Sequence, residues 1–411
     1  MVVQSYLSGF LISRTEVLSD YTQSYLDSFK FRNVIDLGRR IQFKFTIRER
    51  QKVKKINPVI RKAKVKDAEE IVFMYKEIYK DSYPYKEMEN IENVRQMIAS
   101  ENIEWLIFEH PITKESCGCF TLVLDFEDKK GYTRGFIMKK KYEGKMDVIK
   151  AFLASFIAMY IKYEGKILRW YGESRTAHSK SQYCMRPGGF RPVAFLPNKD
   201  VFYNQVESDI LLISYDQNAI TKWRTTELPN IVPEVFNCFW YSARNYNLGG
   251  CKINKDPLTL NWKKVRTHSN QVKVYRKTDK FGYKDIKIEL KGTNSYISFI
   301  NTPFVQNIEK TEYNTSTREE LFVLANEFLK ESVRLGVRYL EVYVSAYRPL
   351  DQKIFLELGL TPRGYVPSWK LDKKENILKD YIVFNWFSGK IDDNMQILSE
   401  GRELLDCLDL D

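Results

Sequence analysis

Apolar residues along this chain fall into short alternating runs separated by a few longer patterns of helical period, which predicts strands interleaved with helices. The pattern is clearest from Ile60 onward. Ile60–Val65 alternates as a short strand, and Asp67 with Glu70 has capping-box spacing ahead of a helix whose apolar face is Ile71, Met74, Tyr75 and Ile78. A second helix fits Ile91–Ala99, and three strand-like runs follow at Trp105–Phe108, Cys117–Phe126 and Tyr132–Met138, the last two joined by a turn ending at Gly131. A long apolar helix is predicted from Lys145 to Tyr163 and ends at Gly165. A strand over Ile167–Glu173, a short helix near Ser179–Arg186 and strands at Val193–Leu196 and Ile210–Ser214 complete a mixed α/β unit. Before it, Thr15–Phe29 reads as a helix and Gln42–Val53 as a strand.

The chain then repeats itself. Gln182, Gly189, Pro192, Phe195 and Pro197 match Gln352, Gly359, Pro362, Tyr365 and Pro367 at one offset of 170 residues. The match sits inside a shared order of strand, helix, strand, strand, so two halves on one plan are expected. Between them, Pro229, Pro233, Gly249, Gly250 and Pro257 punctuate a connector with a helix predicted over Glu234–Tyr246. The end of the chain turns acidic and carries Ile391, Met395, Leu398, Leu405 and Leu408, as expected of an amphipathic helix docked on a basic body. The expected partition is an N-terminal segment over 1–57, a first domain over 58–215, a connector over 216–268, a second domain over 269–388 and an acidic tail over 389–411.

Composition narrows the classes of function. The 411 residues are 44% hydrophobic, enough to build cores and too many for a disordered chain. Six cysteines without a CxxC pair argue against a disulfide scaffold, and three histidines without HxxxH spacing argue against a metal site. The N-terminus lacks the basic region of a secretory signal, and Ala151–Ile161 is too short to span a bilayer, so a cytoplasmic protein without membrane contact is expected. The net charge of +12 calls for an acidic ligand, a nucleic acid or merely solubility, and composition does not choose among these.

The chemistry is concentrated in two segments. In Lys139–Lys145, four lysines (Lys139, Lys140, Lys141, Lys145) and Gly144 lie between a strand and the start of the long helix, where free N–H groups and the helix dipole favour a phosphate. Glu143 opposes that use unless it points away. In Thr176–Gln182, Ser179 and Gln182 have capping-box spacing, and His178 lies at a strand end as a candidate base or coenzyme contact.

The segments FIMKKKYEGKM (136–146) and ESRTAHSKSQYCMRPGGF (173–190), in this element order, resemble the GNAT superfamily of N-acetyltransferases. The second half, about 271–387, resembles a degenerate copy. The resemblance implies a mixed α/β sheet in tandem GNAT-like acyl-CoA N-acyltransferase folds. It implies acetyl-CoA or coenzyme A as co-substrate, no metal, and an amine-bearing small molecule or peptide as acceptor. It places Phe136, Ile137 and Met138 along the pantetheine, Lys139, Lys140, Lys141, Gly144 and Lys145 at the pyrophosphate, and Ser181 and Gln182 among the coenzyme contacts. Transfer is direct, so the amine needs a base, for which Glu173 and His178 are the candidates. Many members use a tyrosine four residues before the Gly of Gly-Phe. Here Met185 and Phe355 stand at those positions, and neither can donate a proton. That departure supports the alternative of a non-catalytic acyl-CoA-binding or interaction protein on the same fold.

Overall fold

The computed structural model describes Leu11–Ile12, Lys30–Arg32 and residues 55–408. The helix expected over Thr15–Phe29 and the strand over Gln42–Val53 lie outside the described residues. The first elements are β1 (Leu11–Ile12), β2 (Lys30–Arg32), β3 (Val59–Lys62), α1 (Ala68–Tyr79), α2 (Ile91–Ala99), β4 (Ile103–Glu109), β5 (Ser116–Asp125) and β6 (Lys130–Met138). There follow α3 (Val148–Lys162), β7 (Arg169–Arg175), α4 (Lys180–Met185), β8 (Arg191–Phe202) and β9 (Gln205–Asp216).

The middle of the chain forms α5 (Gln217–Thr221), β10 (Asn230–Ile231), α6 (Phe236–Tyr246), β11 (Lys252–Ile253) and α7 (Trp262–Ser269). The second half comprises β12 (Val272–Thr278), β13 (Lys284–Leu290), β14 (Tyr296–Thr302), β15 (Asn307–Asn314), α8 (Arg318–Arg334), β16 (Tyr339–Ser345), α9 (Pro349–Glu357), β17 (Thr361–Asp372) and β18 (Ile377–Phe387), with α10 (Ser399–Leu405) in the tail.

Among the described residues, one sheet carries all of these strands except β10 and β11, in the order β12-β13-β14-β15-β16-β18-β17-β8-β9-β7-β6-β5-β4-β3-β2, with β1 on β9. The alternation of side chains along a strand explains its two faces. On β4, Trp105 and Ile107 pack toward α1 and α2, whereas Leu106 and Phe108 pack toward α3. Helix α3 is apolar nearly all round, and every residue from Ala151 to Tyr160 is buried. Its N-cap is Asp147, whose carboxylate accepts the Lys150 N–H.

Asp67 does not form the expected capping box with Glu70. Its carboxylate instead accepts from the Lys64 N–H and pairs with Arg61, while Glu70 is drawn to Ser116 and Lys139.

The halves share their irregularities as well as their order. The β8–β9 ladder slips between Pro192 and Ala194 and between Leu196 and Asp200, and the β17–β18 ladder slips between Pro362 and Gly364 and between Val366 and Lys370. Gly189 and Gly359 both have positive φ, as do Asn198 and Ser368. One Cα pair, Ala194 with Gly364, joins β8 to β17 antiparallel. A Cβ on Gly364 would sit 2.3 Å from the Ala194 Cβ, so only glycine permits this approach.

The halves are not separately cored. Val193, Ala194, Leu196, Leu211 and Ile213 of β8 and β9 share one apolar cluster with α6 and the second half. The segment 216–268 therefore packs as part of the second half's core, while Ile391, Met395, Ile397 and Leu405 of the tail pack on the α3 side of the first.

Candidate active site

Strands β6 and β7 run parallel and pair only from Lys130 with Arg169 to Thr133 with Gly172. Beyond that point they part. On β6 the parting coincides with a one-residue bulge against β5, where Cys119 pairs Ile137 but Thr121 pairs Arg134. Gly135 sits in the bulge at φ 65, and a Cβ there would lie 2.2 Å from the Tyr75 hydroxyl, which donates to the Gly135 carbonyl at 2.6 Å. Phe136, Ile137 and Met138 thus present toward β7 an edge that β7 does not pair. Ser174 faces α4, with its hydroxyl 3.5 Å from the Met185 sulfur, and Glu173 faces the opposite side of the sheet.

The structure divides the four loop lysines into two kinds. Lys139 is buried, with its ammonium 3.2 Å from Glu70 and 3.1 Å from Glu115. Lys141 lies 2.5 Å from the same Glu115, whose carboxyl is held down at about 2 by hydrogen bonds from Lys141 and Tyr142. Lys140, Gly144 and Lys145 are exposed. The start of α3 is also partly used. Asp147 caps it, and the chain at Ile56 runs beside it, bonded to the Lys145 carbonyl and the Asp147 N–H. The loop therefore fits an anion less fully than four lysines and an open helix end would.

His178 is half-buried, and burial, followed by the Arg175 charge, lowers its pKa, so the neutral imidazole is favoured. Its Nδ1 and the Ser181 hydroxyl have no hydrogen-bond partner among the described residues. Ser179 makes no side-chain cap on α4. Gln182 is a clamp. Its amide donates to the Arg175 carbonyl at 3.5 Å and the Gln396 carbonyl at 3.2 Å, and its Oε1 accepts from the Leu398 N–H at 3.1 Å. Met185 and Phe355 are buried apolar groups. Cys184 is buried too, and burial pushes its thiol up to about 12, which leaves it a poor nucleophile.

Glu173 leads into a charged cluster that the sequence did not reveal. The Lys199 ammonium, 1% exposed, lies 2.7 Å from Glu173, 3.1 Å from Glu309 and 3.3 Å from Glu341. The Arg338 guanidinium fixes this stretch of backbone by donating to the carbonyls of Asn198, Lys199 and Val305. The Tyr132 hydroxyl approaches Glu173 at 3.4 Å, and the Tyr339 hydroxyl donates to Glu341 at 2.7 Å.

Burial and the neighbouring carboxylates raise Asp200 and Glu341 to about 7 and hold Asp209 well above the usual range. Lys199 is held charged well above its ordinary value, because Glu173, Glu341 and Glu309 outweigh its burial. Lys199 and Asp200 lie beyond the predicted strand Val193–Leu196, on the part of β8 that the sequence reading missed. Their carboxylate partners come from four other strands, so no local signal marked the cluster.

Among the described residues no helix is long and apolar enough to cross a membrane, and no grouping of side chains could hold a metal ion.

No protein-family model and no curated protein matches the chain. Solved structures do. A spermidine N-acetyltransferase from Vibrio cholerae is similar at 11% identity over 39% of this chain and 94% of its own, with a TM-score of 0.34. A ribosomal-protein-S5-alanine acetyltransferase from Vibrio fischeri is similar at 14% identity over 38% and 92%, with a TM-score of 0.33. A microcin C7 self-immunity acetyltransferase, solved with acetyl-CoA and AMP, is similar at 17% identity over 38% and 92%, with a TM-score of 0.31. With strands in the order β3-β4-β5-β6-β7-β9-β8, helices α1 and α2 on one face and α3 on the other, a bulge at Gly135 and a parting of β6 from β7, the chain has a GNAT-like fold.

Proposed function

We propose that this protein is an acyl-CoA-dependent N-acyltransferase built from two GNAT-like halves, the first of which takes the acyl donor. The observation that carries the reading is the parting of β6 and β7 beside the Gly135 bulge, which leaves the Phe136–Met138 edge to hydrogen-bond an extended thioester arm. Lys140 and Lys145 with Gly144 are exposed, and the two lysines make no ion pair within the loop; they are the groups assigned to the coenzyme phosphates. Lys139 and Lys141 order the loop through Glu115.

The acyl-CoA donor would supply an activated thioester, with coenzyme A as the leaving thiol. The amine attacks the thioester carbonyl, an N–C bond forms, the C–S bond breaks, and the amine's proton passes to a base on the acceptor side of the sheet. Glu173 faces that side and is the assigned base, with Tyr132 and Lys199 orienting its carboxylate. His178, neutral at the other end of the opening, is assigned as a donor-side contact. Met185 cannot protonate the departing thiolate, so water does. The second half lacks the basic loop before α8, where Thr317 and Glu320 form a closed capping box, and it contributes Glu309 and Glu341 to the acceptor side.

The test is release of free thiol from acetyl-CoA across a panel of amines. Turnover that is lost in Glu173→Gln supports the transferase. Donor binding without thiol release from any amine supports the second reading, a non-catalytic acyl-CoA-binding protein, which buried Met185 and Phe355 favour.

A further inference from the structure

Beside Lys199 lies a set of acceptors short of donors. Asp200 and Asp209 form a buried pair, 3% and 2% exposed, on the paired strands β8 and β9. Asn307 of β15, fully buried, reaches Asp200 Oδ1 with its amide nitrogen at 3.5 Å. The Tyr85 hydroxyl reaches both Asp200 and Glu309 at 3.3–3.5 Å. Asp209 Oδ1 and Asn307 Oδ1 are buried and find no donor among the described residues. A buried acceptor without a donor is costly, so this place calls for a ligand rich in N–H groups.

Three features say which ligand. Lys199 already demonstrates that an ammonium fits among these carboxylates at hydrogen-bond distance. Among the described residues the Lys199 ammonium touches Glu173, Glu309 and Glu341. Arg338 acts on Asp200, and Lys310 and Arg134 act on Glu309, only through space, so Asp200 and Asp209 have no cation in contact. The side chains of Glu173 and Glu309 remain 14% and 15% exposed, and Tyr85, Tyr132, Tyr171 and Tyr343 are only half-buried although packed deep among protein atoms, as in the wall of a cleft. Carboxylates in an aromatic wall suit an organic cation.

We propose that the cleft where β8 meets β15 and β16 binds the second positive charge of a diamine or longer cationic amine, with Asp200, Asp209 and Asn307 as its acceptors. The inference rests on the acyltransfer reading for the fate of the other amine, which would lie toward Glu173 and the β6–β7 opening.

The experiment separates the two claims because it needs no acyl donor. Calorimetric titration of the full-length protein compares 1,4-diaminobutane with 1-aminobutane. The diamine is expected to bind at least about tenfold more tightly, with protons released on binding. Asp209→Asn and Asn307→Ala are expected to abolish that preference, and thermal melts identify any variant that fails to fold. Glu309→Gln, at the partly exposed rim, is the second variant and is expected to reduce the preference about threefold or more. Equal affinity for the two amines, or a preference unchanged in folded Asp209→Asn, overturns the cation site. Tight diamine binding without any thiol release leaves the site standing and removes only the transferase reading.

Discussion

Gln182 and Gln352, 170 residues apart, each hold a crossing stretch of chain by the same hydrogen bonds. Gln352 accepts from the Val232 N–H at 3.0 Å and donates to the Asn230 and Ser345 carbonyls. Gln182 accepts from Leu398 and donates to Gln396 and Arg175. A further bond recurs, from the Asn230 N–H to the Ala346 carbonyl and from the Gln396 N–H to the Thr176 carbonyl. Each gripped segment then enters a helix, α6 packed on β17 and α10 packed on β8. The stretch that follows β9 is thus held by the second half, and the stretch that follows β18 by the first.

This reciprocity predicts a local effect for each glutamine. Gln182→Ala strands the buried ends of the tail's backbone and should cost about 1–3 kcal/mol. Hydrogen exchange should quicken at Leu398 and through α10 while Val232 stays protected, and Gln352→Ala should do the reverse. Equal loosening of both segments in either variant would show that the two contacts are not separate clamps.

At the junction of the halves, Gly364→Val forces a side chain into the Ala194 Cβ and the Val193 carbonyl. Overpacking at a backbone-to-backbone contact should cost about 1–3 kcal/mol. Urea unfolding would read this as a lower midpoint, and an unchanged midpoint would show that β8 and β17 are not held this closely.

The raised carboxyls have a signed consequence. Asp200 and Glu341 titrate near 7 in the fold because they are buried beside other carboxylates, and near 4 when unfolded. The native state therefore holds extra protons between those values, and the stability this gives is complete at low pH and lost as pH rises toward 7. Asp200→Asn should flatten this decline by up to about 4 kcal/mol. Unfolding free energies measured at a series of pH values would show it, and parallel profiles for the two proteins would refute it.

The two kinds of loop lysine should separate cleanly. Lys145→Glu should weaken acetyl-CoA binding about threefold to tenfold with little change in melting temperature. Lys139→Met, which removes the partner of Glu70 and Glu115, should instead lower stability by about 1–2 kcal/mol. The opposite pattern in calorimetry and thermal melts would reverse the roles assigned to them.

Much of the fold was legible because local chemistry and tertiary packing agree. Helix α2 falls on the predicted Ile91–Ala99, and Gly189 and Pro192, matched to Gly359 and Pro362 in the sequence, lie with them at a positive φ and at a ladder slip in the same order. The role of Gln182 was hidden, because capping-box spacing is local whereas Gln396 and Leu398 are more than 200 residues away. The kinship of the connector with the tail was hidden as well. Ile231 and Glu234 align with Ile397 and Glu400 at an offset of 166, not 170, among otherwise dissimilar residues. The Lys199 cluster draws on β7, β8, β9, β15 and β16, and nothing local in any one strand marks it.

The central claim is that the first half receives the acyl donor where β6 and β7 part. A crystal structure of the protein with coenzyme A tests it most directly. The account predicts the pantetheine arm against Phe136–Met138, the phosphates near Lys140 and Lys145, and the sulfur facing Glu173 across the sheet. Coenzyme A bound instead between β15 and β16, or an opening that stays empty at millimolar ligand, would contradict it.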